Sequence, residues 1–126
     1  MTIKKNYRVE KVRNDISVAM SKVFVEDISN VDNFFDGYMI SLVDTKISTD
    51  LKLCNFFISS IKLSDFKDYS KESVSQLNIN KKKIRFLLTQ KINLKFSPEI
   101  RFLESIKDEN IQKLKKIFKS ISEDNK

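Results

Sequence analysis

Between Tyr38 and Ile61 the hydrophobic period of this chain changes to two, and that change restricts its fold more than any other feature. Tyr38 to Ser48 alternates, with Ile40 and Leu42 followed by Thr45 and Ile47. Leu51 to Ile61 is rich in β-formers: Leu53, Cys54, Phe56, Phe57 and Ile58. Ser48-Thr49-Asp50 between them is a polar turn signal. Strands joined by so short a connection pair antiparallel. In the second strand Leu53 and Phe57 share one face, while Cys54, Phe56 and Ile58 share the other, which turns polar at Ser60. Cys54 reads as a small core residue and not as a reactive thiol.

The flanking sequence is helical in pattern. From about Tyr7 to Asp27, Val9, Val12, Ile16, Ala19, Met20 and Val23 recur at spacings of three and four. Ile28 to Gly37 reads as an irregular connection and Lys62 to Tyr69 as a charged loop. Ser70 is placed to cap a helix with Val74, Leu77 and Ile79 as its inward residues. Asn78 to Asn80 interrupts that helix. A second one follows from Lys81 to Asn93, burying Ile84, Leu87, Leu88 and Ile92. Pro98 cannot sit inside a central strand, so a third strand is predicted over Glu99 to Glu104, with Ile100 and Phe102 on one face. A last amphipathic helix is predicted over Lys107 to Ile121. The expectation is one α+β domain over 1–126, with a folded core over 7–121, flexible ends at 1–6 and 122–126, and helices packed on one face of a three-stranded sheet.

Composition removes several chemistries. With no His, triads, imidazole acid–base catalysis and His-containing zinc sites are excluded. One Cys forms neither an internal disulfide nor a four-cysteine metal site, and one Gly builds no glycine-rich phosphate loop. The acidic residues Asp65, Asp68, Asp108 and Glu109 read as loop and helix-end charges. No cofactor and no enzymatic activity is expected. No apolar run reaches the roughly 18–20 residues of a membrane span, and the first residues lack a secretory pattern, so the expected compartment is the cytoplasm.

The charge is concentrated. The net charge is +7, and residues 81–101 carry Lys81, Lys82, Lys83, Arg85, Lys91, Lys95 and Arg101 against Glu99 alone. Lysine runs are commonly solvated helix faces, but a stretch holding nearly the whole net charge marks where an anion would dock.

Several segments resemble the ribosome-binding factor A family, whose fold is a type II KH domain. Val43-Asp44-Thr45-Lys46-Ile47-Ser48-Thr49-Asp50-Leu51 looks like the first strand and S-x-D-L turn of that family, and Phe56-Phe57-Ile58-Ser59 like its second strand. Ile84-Arg85-Phe86-Leu87-Leu88 is similar to its I-R-x-L-L helix core, and Leu94-Lys95-Phe96-Ser97-Pro98-Glu99-Ile100-Arg101-Phe102 to its L-R-x-x-P-E-L-x-F segment. Arg8-Val9 resembles the pair opening its first helix. The family's D-P-R-L segment is replaced by Phe34-Phe35-Asp36-Gly37, and its A-x-G kink falls on Asn80-Lys81-Lys82, with Asn80 as the candidate bend.

The resemblance implies an α-β-β-α-α-β order and a monomeric, non-catalytic factor that binds 16S rRNA in the free 30S subunit and assists its processing and late assembly. The residues expected to touch RNA are Lys4, Lys5, Arg8, Lys81, Lys82, Lys83, Arg85, Lys91, Lys95 and Arg101. Phe86 is a candidate for base stacking, with packing under the loop or against the last helix as the plainer alternative. The GxxG loop of ordinary KH domains is absent. The competing reading is a KH-like interaction module that recruits an acidic protein.

Overall fold

A computed structural model describes residues 2–94 and 98–105, with side chains from Arg8 onward. Its elements are α1 (Thr2–Glu26), α2 (Ile28–Val31), a 3-10 turn (Asn33–Phe35), β1 (Tyr38–Ile47), β2 (Leu53–Lys62), α3 (Ser70–Ile79), α4 (Lys81–Lys91) and β3 (Glu99–Glu104). The predicted helix over Lys107–Ile121 and the tail after it lie outside the described residues.

The hairpin forms as its pattern requires. β1 and β2 pair antiparallel from Tyr38 opposite Lys62 to Ile47 opposite Cys54. A bulge between Leu42 and Asp44 shifts the register. It explains why the inward residues of β1 change from even to odd numbers, from Ile40 and Leu42 to Thr45 and Ile47. The turn is held by side chains. The Ser48 hydroxyl donates to Asp50 at 2.6 Å and accepts from the Leu53 N–H at 3.0 Å. Asp50 also accepts from the Lys52 N–H at 3.1 Å. These bonds hold the Asp50 carboxyl below its ordinary pKa, the Ser48 hydroxyl contributing most. They also secure Leu51 at φ +62°, a left-handed conformation costly for a residue with a Cβ. The S-x-D-L pattern is thus a turn whose Ser and Asp fix its Leu.

β2 lies in the middle of the sheet and pairs parallel with β3, from Leu53 beside Glu99 to Ile58 beside Glu104. A parallel neighbour requires a crossover, which α3 and α4 supply. Cys54, Phe56 and Ile58 of β2 meet Ile100 and Phe102 of β3 in one core with Ile16, Met20 and Val23 of α1, Leu77 of α3, and Ile84 and Leu88 of α4. Phe102 stacks on Phe56 at 5.6 Å between ring centroids and meets Phe24 at 6.2 Å. Burial pushes the Cys54 thiol up to about 12, so it stays protonated and inert as a core residue. The central position also explains the two-sided apolar pattern of β2: Phe57, on the outer face, is only 8% exposed.

Ser60 does not return its face to solvent. It is buried, its hydroxyl accepts from Ser73 at 2.8 Å, and its N–H donates to the Ser70 hydroxyl at 2.9 Å. The expected Ser70 cap is accordingly corrected. Ser70 is the first residue of α3, and Asp68 accepts its N–H at 2.8 Å; an anionic acceptor suits a helix start better than a hydroxyl already in use.

Four further expectations change. Helix α1 starts at Thr2, five residues before the expected start at Tyr7. The connection at 28–37 is more ordered than its composition suggests: Ile28, Val31 and Phe35 are all buried, and Asp32 accepts the Phe34 N–H at 3.0 Å. Gly37 then enters β1 at φ +83°, where only glycine is unstrained. Ile79 is 71% exposed because it lies two residues past Leu77, on the opposite side of the helix. Finally, α4 ends at Lys91, with Ile92 extended, before the predicted Asn93.

Candidate nucleic-acid interface

The basic segment is placed by the junction of α3 and α4. Asn80 sits between the helices at φ −97° and ψ 14°, an ordinary right-handed bend that needs no small residue. What distinguishes Asn80 is its side chain. Its carboxamide donates to the Gln76 carbonyl at 2.9 Å and to Asp32 at 3.2 Å, tying the junction to the loop before β1. The Phe34 N–H first and Asn80 second hold the Asp32 carboxyl below its ordinary pKa. Two residues earlier, Asn78 braces the same junction against the sheet. Its carboxamide donates to the Phe102 carbonyl and accepts the Phe102 N–H, both at 3.0 Å. One side chain thereby satisfies both edge-facing groups of a strand residue.

Of the ten predicted cations, the seven whose side chains are described do not form one surface. Lys81, Lys82 and Lys83 stand together and exposed on the first turn of α4, without a salt bridge among the described residues. That turn contains no acidic residue. Three ammonium groups at a helix start oppose the helix dipole, so the arrangement is unfavourable for the helix and favourable for an anion. Arg85 follows, half-buried. Lys91 does something different. Its Nζ lies 2.7 Å from Glu26 Oε2 and 3.0 Å from Asp27 Oδ2, and those two hydrogen bonds raise its pKa. It closes the foot of α4 onto the end of α1 and is not a free cation.

Arg101 is on the other side of the molecule. It alternates with the core residues Ile100 and Phe102, so it projects from the sheet face away from the helices. Arg8 is exposed on α1, eighteen residues before Glu26, or ~27 Å along a helix rising 1.5 Å per residue. The side chains of Lys4 and Lys5, and the whole of Lys95, lie outside the described residues. The compact part of the expected set is therefore Lys81–Lys83.

Phe86 lies one turn beyond Lys82 on the outer side of α4 and is 61% exposed. With Lys83 and Leu87 it forms one wall of a depression of about 350 Å³, closed opposite by Asp27, Asn30 and Val31. The sequence reading did not single out Asn30, Asp32 or Asn78. The Asp32-Asn33-Phe34 stretch does carry a turn-start signal. Asn78 was read only as part of a helix interruption, and nothing local marks its contact, whose partner is 24 residues away.

The comparisons with known proteins agree with this architecture. The family model for ribosome-binding factor A matches residues 8–120. The chain is 39% identical over 85 residues to ribosome-binding factor A of Rickettsia typhi, covering 66% of this chain and 63% of that protein. It is 30% identical over 93 residues to the Beijerinckia indica protein of the same name, covering 74% and 60%. Among solved structures it is similar to ribosome-binding factor A of Thermus thermophilus, with TM-score 0.54 at 12% identity over 73% of this chain and 94% of that one. It is also similar to a Thermotoga maritima protein proposed to be a ribosome binding factor A, with TM-score 0.59 at 21% identity over 80% and 90%. The structures attest the fold alone; the family model, spanning nearly the whole chain from the start of the α1 stripe onward, shows that the chain belongs to the ribosome-binding factor A family.

Proposed function

We propose that this protein binds the free small ribosomal subunit through 16S rRNA and favours one rRNA arrangement during processing and late assembly. The observation that carries this reading is the Lys81–Lys83 turn. It is exposed, has no acidic residue within it, and is tied by Asn78 to β3 and by Asn80 to the loop before β1. The family name of the relatives supplies the ribosome as the anionic surface. Lysines that neutralise phosphates release counterions and give salt-dependent affinity, while positioning the protein on the RNA.

The mechanism is selective binding: an rRNA conformation that fits the basic turn gains population by the difference in affinity between conformers. It involves no covalent step. The protein acts as a monomer in the cytoplasm, and no helix among the described residues is long and apolar enough to cross a membrane.

Co-sedimentation with fractionated ribosomal particles tests the reading. The expected result is association with free 30S particles, strongest with immature ones, and little with 70S. Equal recovery in 70S fractions, or recovery in none while an acidic protein is captured, overturns it.

A further inference from the structure

We infer that the depression between α2 and α4 is a pocket for one unpaired RNA base, with Phe86 as its stacking surface, Asn30 as its base-edge contact and Lys82 and Lys83 on the flanking phosphates. This inference rests on the RNA-binding reading and goes beyond it by naming a subsite.

Four observations converge. Phe86 is 61% exposed on the helix face that carries the exposed lysines, while Ile84 and Leu88 on the opposite face are buried and Leu87 packs partly against the core. The depression of about 350 Å³ has an apolar floor, formed by buried Val31 and half-buried Leu87. Its far rim carries Asn30, an exposed residue whose carboxamide makes no hydrogen bond among the described residues. A carboxamide offers donor and acceptor side by side, which matches the edge of a base. The remaining rim residue, Asp27, would repel a phosphate if bare, but its carboxylate is 3.0 Å from Lys91 Nζ. An aromatic face, a free amide and the Lys83 cation at one site, with Lys82 one turn before Phe86, suit a base and its phosphates better than an apolar peptide, which would leave Asn30 and Lys83 without partners.

The site also answers a difficulty in the lysine turn. Phosphate contacts give affinity but no preference for single-stranded over double-stranded RNA. A stacking surface beside them does, because only an unpaired base can enter.

Fluorescence anisotropy with the full chain tests the pocket. The probes are an oligouridylate of about twelve nucleotides, within the usual site size of single-strand binders, and an abasic ribose-phosphate chain of equal length. Wild type is expected to prefer the oligouridylate. Phe86→Ala and Phe86→Leu are expected to lose about 5- to 150-fold on it, the range of one stacked base. Their affinity for the abasic chain and their salt slope stay unchanged, and Phe86→Tyr keeps wild-type affinity. Circular dichroism checks that each variant is folded. If wild type binds both probes equally, or Phe86→Ala binds as wild type, the pocket is wrong while the RNA reading stands. If Phe86→Leu binds normally and Phe86→Ala does not, the contact is apolar and not stacking, which also overturns it. If wild type binds neither probe nor 30S particles, the RNA reading fails and the pocket with it.

Discussion

The two ends of α4 carry the same residue type and use it in opposite ways. At the start, Lys81, Lys82 and Lys83 are exposed where the helix dipole disfavours positive charge. At the end, Lys91 sits where the dipole favours a cation and is held by two carboxylates of the α1–α2 junction. The final lysine therefore fixes the helix in place, whereas the first three make no salt bridge among the described residues and Lys83 acts on Asp32 through its field alone. A count of charge along the segment does not make this distinction; the partners do.

The largest effect that could break the comparison comes from the start of the helix. Replacing Lys81, Lys82 and Lys83 together by Ala is expected to lower the slope of log affinity against log salt by about 2, the value for three lost contacts to single-stranded RNA. The melting temperature should hold or rise, because cations unfavourable to the helix dipole are gone. A fall in melting temperature with an unchanged salt slope would make this turn structural, and the contrast with Lys91 would disappear.

Lys91→Ala is expected to behave in the reverse sense. Thermal melting should shift down by a few degrees while RNA affinity stays within about twofold, since no free charge is removed. The Lys91 pKa is raised, so its contribution is complete at neutral pH and is lost only as pH climbs through the folded value. A large loss of RNA affinity with unchanged melting would place Lys91 on the RNA.

The smallest effect concerns the junction that aims the lysines. The Asp32 carboxyl is held below its ordinary value by the Phe34 N–H and by Asn80. Its contribution is therefore present above the unfolded value, about 3.9, and fades as pH falls through the folded one. The gap in urea midpoint between wild type and Asp32→Asn should be widest near neutrality and shrink below pH ~4. A gap independent of pH would show that the Asp32 charge does not hold Asn80.

How much of this was legible beforehand depended on the range of the interaction. The hairpin, the inward faces of α4 and the role of Cys54 follow from periodicity and local composition, and they appear as expected. The phase change from Leu42 to Thr45 was already visible, and the bulge is its physical cause. The candidate site was legible only in part. Lys83 and Arg101 belong to one basic stretch of sequence, yet a strand that alternates faces puts Arg101 behind the sheet. Lys91 counted as a free cation until Glu26, 65 residues away, was found at 2.7 Å. Asn80 was expected to matter as the bend between the helices, but its backbone is ordinary and its side chain makes the contact.

By itself, the sequence determined the types of α1, β1, β2, α3, α4 and β3, the antiparallel hairpin, the core-facing stripes and the segment that carries the net charge. All of these depend on neighbours within one or two turns or across a short loop. Only the tertiary structure decided which cations are free, which side of the sheet each faces, and that Asn30 and Phe86 share a pocket. Those outcomes depend on partners brought together by folding, and residue spacing along the chain carries no record of them.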